Sequence, residues 1–87
     1  MDEARLQKLA EHLDQQNDWP AEYLFKFIVP MQEVDAVVAL FPGVAVSQRQ
    51  SRTGKYVSTS ARVIAESSEG VVAVYRQAAG IPGLIAL

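Results

Sequence analysis

The nine residues "EYLFKFIVP", 22–30, set the tightest limit on what this chain can fold into. β-Branched and aromatic residues dominate the run and Pro30 closes it, which is the composition of a strand. Successive side chains of a strand point to opposite faces, so Tyr23, Phe25, Phe27 and Val29 share one face while Leu24, Lys26 and Ile28 share the other. Both faces are largely apolar. Such a strand belongs inside a sheet, with cover to bury it. The rest of the chain therefore has to supply neighbouring strands and at least one packing layer. Few residues are left to do so, since the chain of 87 makes one domain, near the lower end of what a single core stabilises. With no cysteine, no disulfide assists. The hydrophobic fraction of 49%, against 21% charged residues, is that of an ordinary globular chain and is enough for a core.

The flanking segments supply the missing layers. Upstream, Leu6, Leu9, Ala10 and Leu13 fall on one helical stripe, predicting a thin amphipathic helix over about residues 3–15. "QQNDWP" breaks it and reads as a linker. Downstream, Val34, Val37, Val38 and Phe41 repeat the helical spacing up to "FPG". Val44 to Gln50 alternates weakly and turns polar, as an edge strand should. "SRTG" is a turn in which Gly54 supplies the left-handed conformation. Tyr56 to Ala65 is a long strand with Val57, Thr59, Ala61, Val63 and Ala65 on one face and Tyr56, Ser58, Ser60 and Arg62 on the other. Ser67 or Ser68 can cap a second helix whose inner stripe is Val71, Val74, Tyr75 and Ala78, ended by Gly80 and Pro82. "GLIAL" is a last short strand.

After the leader helix the order is β-α-β-β-α-β. Right-handed crossovers then place both helices on one face of a four-stranded antiparallel sheet, an α+β, ferredoxin-like sandwich. The expected division is a helix and linker at 1–18 and the sandwich at 19–87. The expected core is Phe25, Phe27, Val37, Val38, Val63, Val71 and Tyr75.

"YLFKFIVP", "SRTGKYVSTSARV" and "IPGLIAL", in that order, resemble the YbeD-like family of small bacterial proteins. The resemblance covers about Trp19 to Leu87. It implies a ferredoxin-like fold similar to the small regulatory ACT domains, and it carries no chemistry with it.

Charge is divided along the chain. Residues 1–22 hold six acids against Arg5 and Lys8, a net of −4, whereas Ala36 to Ala65 holds Arg49, Arg52, Lys55, Arg62 and no acid. Four bases on one hairpin invite a partner of opposite sign. Lys and Arg on an edge strand also discourage edge-to-edge aggregation, and that alone accounts for the cluster. The functional alternative is a docking or anion patch of Arg49, Arg52, Lys55 and Arg62 with Tyr56 beside it.

Catalysis finds little to work with. His12, the single histidine, sits off the apolar stripe of the leader helix, with no orienting partner to make it a general base. Glu33 with Asp35, and Glu66 with Glu69, stand near helix starts, where the dipole favours acids. Neither a clustered metal-ligand set nor a cofactor motif occurs. RNA-recognition domains of this topology stack bases on third-strand aromatics two residues apart, but here Tyr56 is followed by Ser58. The overall charge of −2 also disfavours a nucleic-acid partner. ACT domains bind amino acids at a glycine-containing loop after the first strand, and "VPMQEV" has no glycine.

The expectation is a non-enzymatic regulatory or protein-interaction module without cofactor or metal. A small-ligand-binding ACT-like domain is the alternative, and RNA binding through the open sheet face comes third. No apolar run reaches the roughly 20 residues of a membrane helix, and "MDEARLQKLAEHLDQQ" is too acidic for a secretory signal. A cytoplasmic location is therefore expected, with an unknown protein partner and a homodimer formed on the open sheet face or a sheet edge. The leader helix, through Leu6, Leu9 and Leu13, is expected to be at best a marginal lid on that face, loosely held at the dimer's margin.

Overall fold

The computed structural model describes residues 2–87. Its elements are α1 (Glu3–Gln16), β1 (Ala21–Pro30), a 3-10 turn (Met31–Glu33), α2 (Val34–Val38), β2 (Ser47–Gln50), β3 (Tyr56–Ala65), α3 (Ser68–Ala78) and β4 (Ile85–Ala86). The strands form one antiparallel sheet in the order β2-β3-β1-β4, the ferredoxin-like arrangement expected from the sequence. β1 pairs with β3 along its whole length, from Ala21 opposite Ala65 to Pro30 opposite Tyr56.

Local chemistry fixes where the elements begin and turn. Asp2 caps α1 by accepting the Arg5 backbone N–H at 2.8 Å, and Ser67 caps α3 by accepting that of Gly70 at 3.2 Å. Gly54, at φ 72°, turns the hairpin between β2 and β3. Gly83, at φ 73°, lets the last segment pass Pro30, whose ring carbon would lie 2.7 Å from any Cβ built there. β4 reaches the edge of β1 through that gap.

One face of the sheet is sealed. Phe25, Phe27 and Val29 of β1 and Ala61 of β3 join Val71, Val72, Tyr75 and Ala78 of α3 in a single core with Val37 and Phe41. The Phe25 ring lies 5.3 Å from both Phe41 and Tyr75, centroid to centroid, within the range of favourable aromatic pairing. Polar groups in this layer are matched. The buried Thr59 hydroxyl donates to the Phe27 carbonyl at 3.0 Å, and the Tyr23 and Tyr75 hydroxyls stand 2.9 Å apart. Burial, and then the hydrogen bond to Tyr23, push the Tyr75 phenol above its ordinary value, so it stays neutral and serves the packing.

The structure departs from the sequence expectations in five places. α2 is only five residues long, because backbone bonds from Leu40 N–H to Val37 O and from Phe41 N–H to Val38 O convert its end into turns. Those turns swing Phe41 into the core and leave Val38 exposed, so the helical spacing read across Val34–Phe41 spans two geometries. Val63 is half-buried, and on α3 Val72 is buried beside the expected Val71, Tyr75 and Ala78, while Val74 is only half-buried. β2 begins at Ser47 and not at Val44.

The largest difference is α1. It packs beside α3 on the helical side and does not approach the open sheet face. Leu6, 1% exposed, and Leu13 belong to the same core as Phe25 and Val72. Arg76 of α3 clasps Glu3 of α1 through two hydrogen bonds of 2.7 and 3.1 Å. With α2 so short, the helical layer has room for a third member, and the leucines of α1 fill it. The indole N–H of Trp19 donates to Asp14 at 3.0 Å, tying the connecting segment back onto the helix.

Candidate functional site on the open sheet face

The register of the sheet lays out the opposite face residue by residue. Paired positions of adjacent strands point the same way, so Ser47, Ser60 and Lys26 form one row across β2, β3 and β1. Leu87, whose N–H donates to the Lys26 carbonyl at 3.0 Å, extends that row. The next row is Arg49, Ser58, Ile28 and Ile85. On the other side of the first row stand Arg62 and Leu24. Neighbours within a row lie about 4.8 Å apart, and rows about 6.7 Å.

This register divides the five residues that the sequence groups together. Arg49 and Tyr56 project from the strands beside the Ser51–Lys55 turn, which carries Arg52 and Lys55, all of them exposed. Arg62 does not join them. It lies four residues beyond Ser58 on β3, about 13 Å along the strand, opposite Leu24, with its guanidinium 3.0 Å from Glu22. That ion pair is well exposed, with side-chain exposures of 69% and 56%, and so contributes little to stability.

Lys26 stands in the middle, between Arg49 and Arg62, and grouping basic residues along the chain misses it. Its neighbours Ser47, Ser58 and Ser60 are missed for the same reason. The signal was present in the alternation of "YLFKFIVP" and "KYVSTSARV". Only the β1–β3 register brings Lys26 opposite Ser60, while the turn at Gly54 aligns Ser47 of β2 with the same Ser60.

Two depressions meet on this row. One, of about 540 Å³, is lined by Leu24, Lys26, Val44, Ser47, Ser60 and Arg62. The other, of about 340 Å³, includes Lys26, Ser47, Arg49, Ser58, Ser60 and Leu87. They share Lys26, Ser47 and Ser60. Among the described residues Arg62 is held by Glu22, whereas no side-chain hydrogen bond or ion pair engages Lys26, Arg49 or the three serine hydroxyls. The face therefore offers hydrogen-bond donors and positive charge, and it suits a ligand rich in acceptors.

The acidic side of the molecule lies on the helices. Glu11, Asp14 and Glu69 line a groove of about 540 Å³ between α1 and α3. His12 is exposed on α1. Among the described residues there is no group of three or more His, Cys, Asp or Glu placed to hold a metal ion, and no helix long and apolar enough to cross a membrane.

A βαββαβ sandwich with one sheet face sealed by helices and the other open to solvent is a small ferredoxin-like domain. Within that class, the chain belongs to the family described as Protein of unknown function (DUF493), which matches residues 14–86 and is the YbeD-like family whose motifs it carries. The match begins in the last residues of α1. No curated protein and no solved structure matches the chain.

Proposed function

We propose that the protein is a non-enzymatic regulatory module that docks an acidic protein partner on its open, basic sheet face. The observation that carries this reading is the contrast in cover. α1, α2 and α3 all lie on one side of the sheet, while Arg49, Lys26 and Arg62, with Arg52 and Lys55 on the adjoining turn, stand uncovered on the other. Apolar residues, the exposed Leu24, Ile85 and Leu87 and the half-buried Ile28, lie among the cations, and a mixture of apolar and basic surface is what a protein partner can use for both affinity and steering. A cytoplasmic, bacterial setting belongs to the same reading.

ACT-like ligand binding has less support. The residues after β1 turn at once into the Met31–Glu33 3-10 turn, held by the Met31 N–H on the Lys55 carbonyl at 2.9 Å, with no glycine to open a ligand loop. Self-association is the second reading, favoured by one observation: β2 is exposed over its whole length, and its outer edge can pair with another strand.

The test is a paired affinity purification from the native host with the wild-type chain and an Arg49→Ser/Arg52→Ser/Lys55→Ser variant. A protein retained by the wild type, released by salt and lost from the variant is the expected result. Retention of the same proteins by both would contradict the reading, as would recovery of RNA or of the chain itself in the partner's place.

A further inference from the structure

We propose that the row Ser47–Ser60–Lys26 on the open sheet face is a binding site for the phosphate group of a small phosphorylated metabolite. This goes beyond the docking role and does not depend on it: the row lies on the same open face, but a phosphate site in the middle of the sheet needs neither Arg52 nor Lys55 of the hairpin turn.

Four observations converge. Lys26 is the cation closest to the centre of the face, and it has no acidic partner. Its cross-strand neighbour is the Ser60 hydroxyl, and Ser47 stands next in the same row. Both depressions on the face meet at these three residues. Arg49 borders one depression as a second, unpaired positive charge, and Arg62, paired with Glu22, borders the other.

A phosphate monoester matches this arrangement better than a carboxylate does. It carries nearly two negative charges at neutral pH and three terminal oxygens, each able to accept hydrogen bonds. The row offers an ammonium with three donors and two hydroxyls with one donor each, more than one carboxylate would satisfy. Lys is a compact charge suited to phosphate, and a flanking guanidinium adds a directional pair of donors. The depressions suit a metabolite in size, since small-molecule sites occupy roughly 300–1,000 Å³. Leu24 and Val44 in the larger one give the organic part of the ester an apolar wall. The sheet supplies rigidity: every member of the row is on a paired strand, and Lys26 and Ser60 lie on the two longest.

The experiment is a titration of the isotope-labelled full chain with phenyl phosphate at constant ionic strength, followed by amide chemical shifts. Saturable shifts centred on Ser47, Ser60 and Lys26 are expected. Lys26→Met keeps the side-chain stem, and Ser60→Ala removes one hydroxyl. Each should weaken binding, the lysine change by at least about tenfold, as loss of a charged hydrogen-bond donor does. Lys26 is exposed and Ser60 is half-buried without a bonding partner, so both variants keep the native spectrum elsewhere. Arg52→Ser should leave phenyl phosphate affinity unchanged, which separates this site from the docking patch. Shifts confined to the Ser51–Lys55 turn would overturn the proposal, as would affinity within twofold of wild type for Lys26→Met. So would a response no larger than that to chloride at equal ionic strength. A phosphoserine peptide that binds more than tenfold tighter than phenyl phosphate would also overturn it, by assigning the site to a modified protein.

Discussion

Phe27 and Lys26 are neighbours in sequence and stand on opposite sides of one strand. Phe27, 1% exposed, is locked among Phe25, Phe41 and Tyr75, whereas Lys26 faces solvent between Ser60 and Leu87. The same alternation therefore serves two purposes. On the helical side it builds a core in which the polar atoms are paired. On the other side it displays charge and hydroxyls on a rigid frame without asking them to support the fold. The packed side and the proposed recognition surface are separated by one residue, because a strand turns successive side chains to opposite faces.

The contrast between the two faces should show most strongly at Phe27. Phe27→Ala removes a ring from the centre of the core and should destabilise the domain by about 3–5 kcal/mol, enough to unfold much of so small a protein. Lys26→Met, one position away, should shift the melt by no more than about 0.5 kcal/mol. Thermal melts of the two variants side by side decide the matter, and equal effects would mean that the strand faces the other way.

The next largest effect belongs to α1. Leu6→Ala should cost about 2–5 kcal/mol, in the range of fully buried leucines, because Leu6 lies within the shared core. A denaturant midpoint equal to wild type would show α1 to be a loosely attached leader after all.

Legibility in the sequence follows the same division. The facing of β1 and β3 was readable because both are ten residues long and alternate without interruption. α3 was readable from its serine cap and apolar stripe. The position of α1 was not. Leu6, Leu9 and Leu13 announce an apolar face, but an amphipathic stripe does not say which of two apolar surfaces it covers. That choice turned on α2 being one and a half turns long, which in turn rests on a pair of turn hydrogen bonds that no periodicity reveals. The candidate site was half legible. Arg49, Arg52, Lys55 and Tyr56 cluster along the chain and also in space. Arg62 clusters only along the chain, and Lys26 joins them only in space, because it lies more than twenty residues away and meets the hairpin through the β1–β3 register.

A change confined to the open side isolates the recognition half of the contrast. Replacing Arg49, Arg52 and Lys55 together by Ser should leave the melt nearly unchanged, each exposed change falling within about 0.5 kcal/mol. Partner binding should slow and lose part of its salt dependence. A large loss of stability would give the hairpin a structural duty that its exposure does not suggest.

The smallest effect is expected at the Glu3–Arg76 pair. The Arg76 hydrogen bonds hold the Glu3 carboxyl below its ordinary value, so the pair's contribution is present above the ordinary carboxylate range and is lost as the pH falls through the folded-state value. Both groups are exposed, so the gain is slight. Arg76→Gln should melt just below wild type at neutral pH and coincide with it in strong acid. A gap that widens on acidification would contradict the assignment.

The uncovered state of the sheet face can be measured directly, because the chain has no cysteine and an introduced thiol is unique. Lys26→Cys and Thr59→Cys place a thiol on the open and sealed faces of adjacent strands. Their reaction rates with a soluble disulfide reagent under native conditions should differ by at least about a hundredfold, the buried thiol reacting only when the domain opens. The Lys26→Cys rate should not depend on protein concentration. Equal protection of the two thiols would mean that the face is covered within the chain, and protection of Lys26→Cys that grows with concentration would mean that a second copy covers it. Either result would contradict an open sheet face.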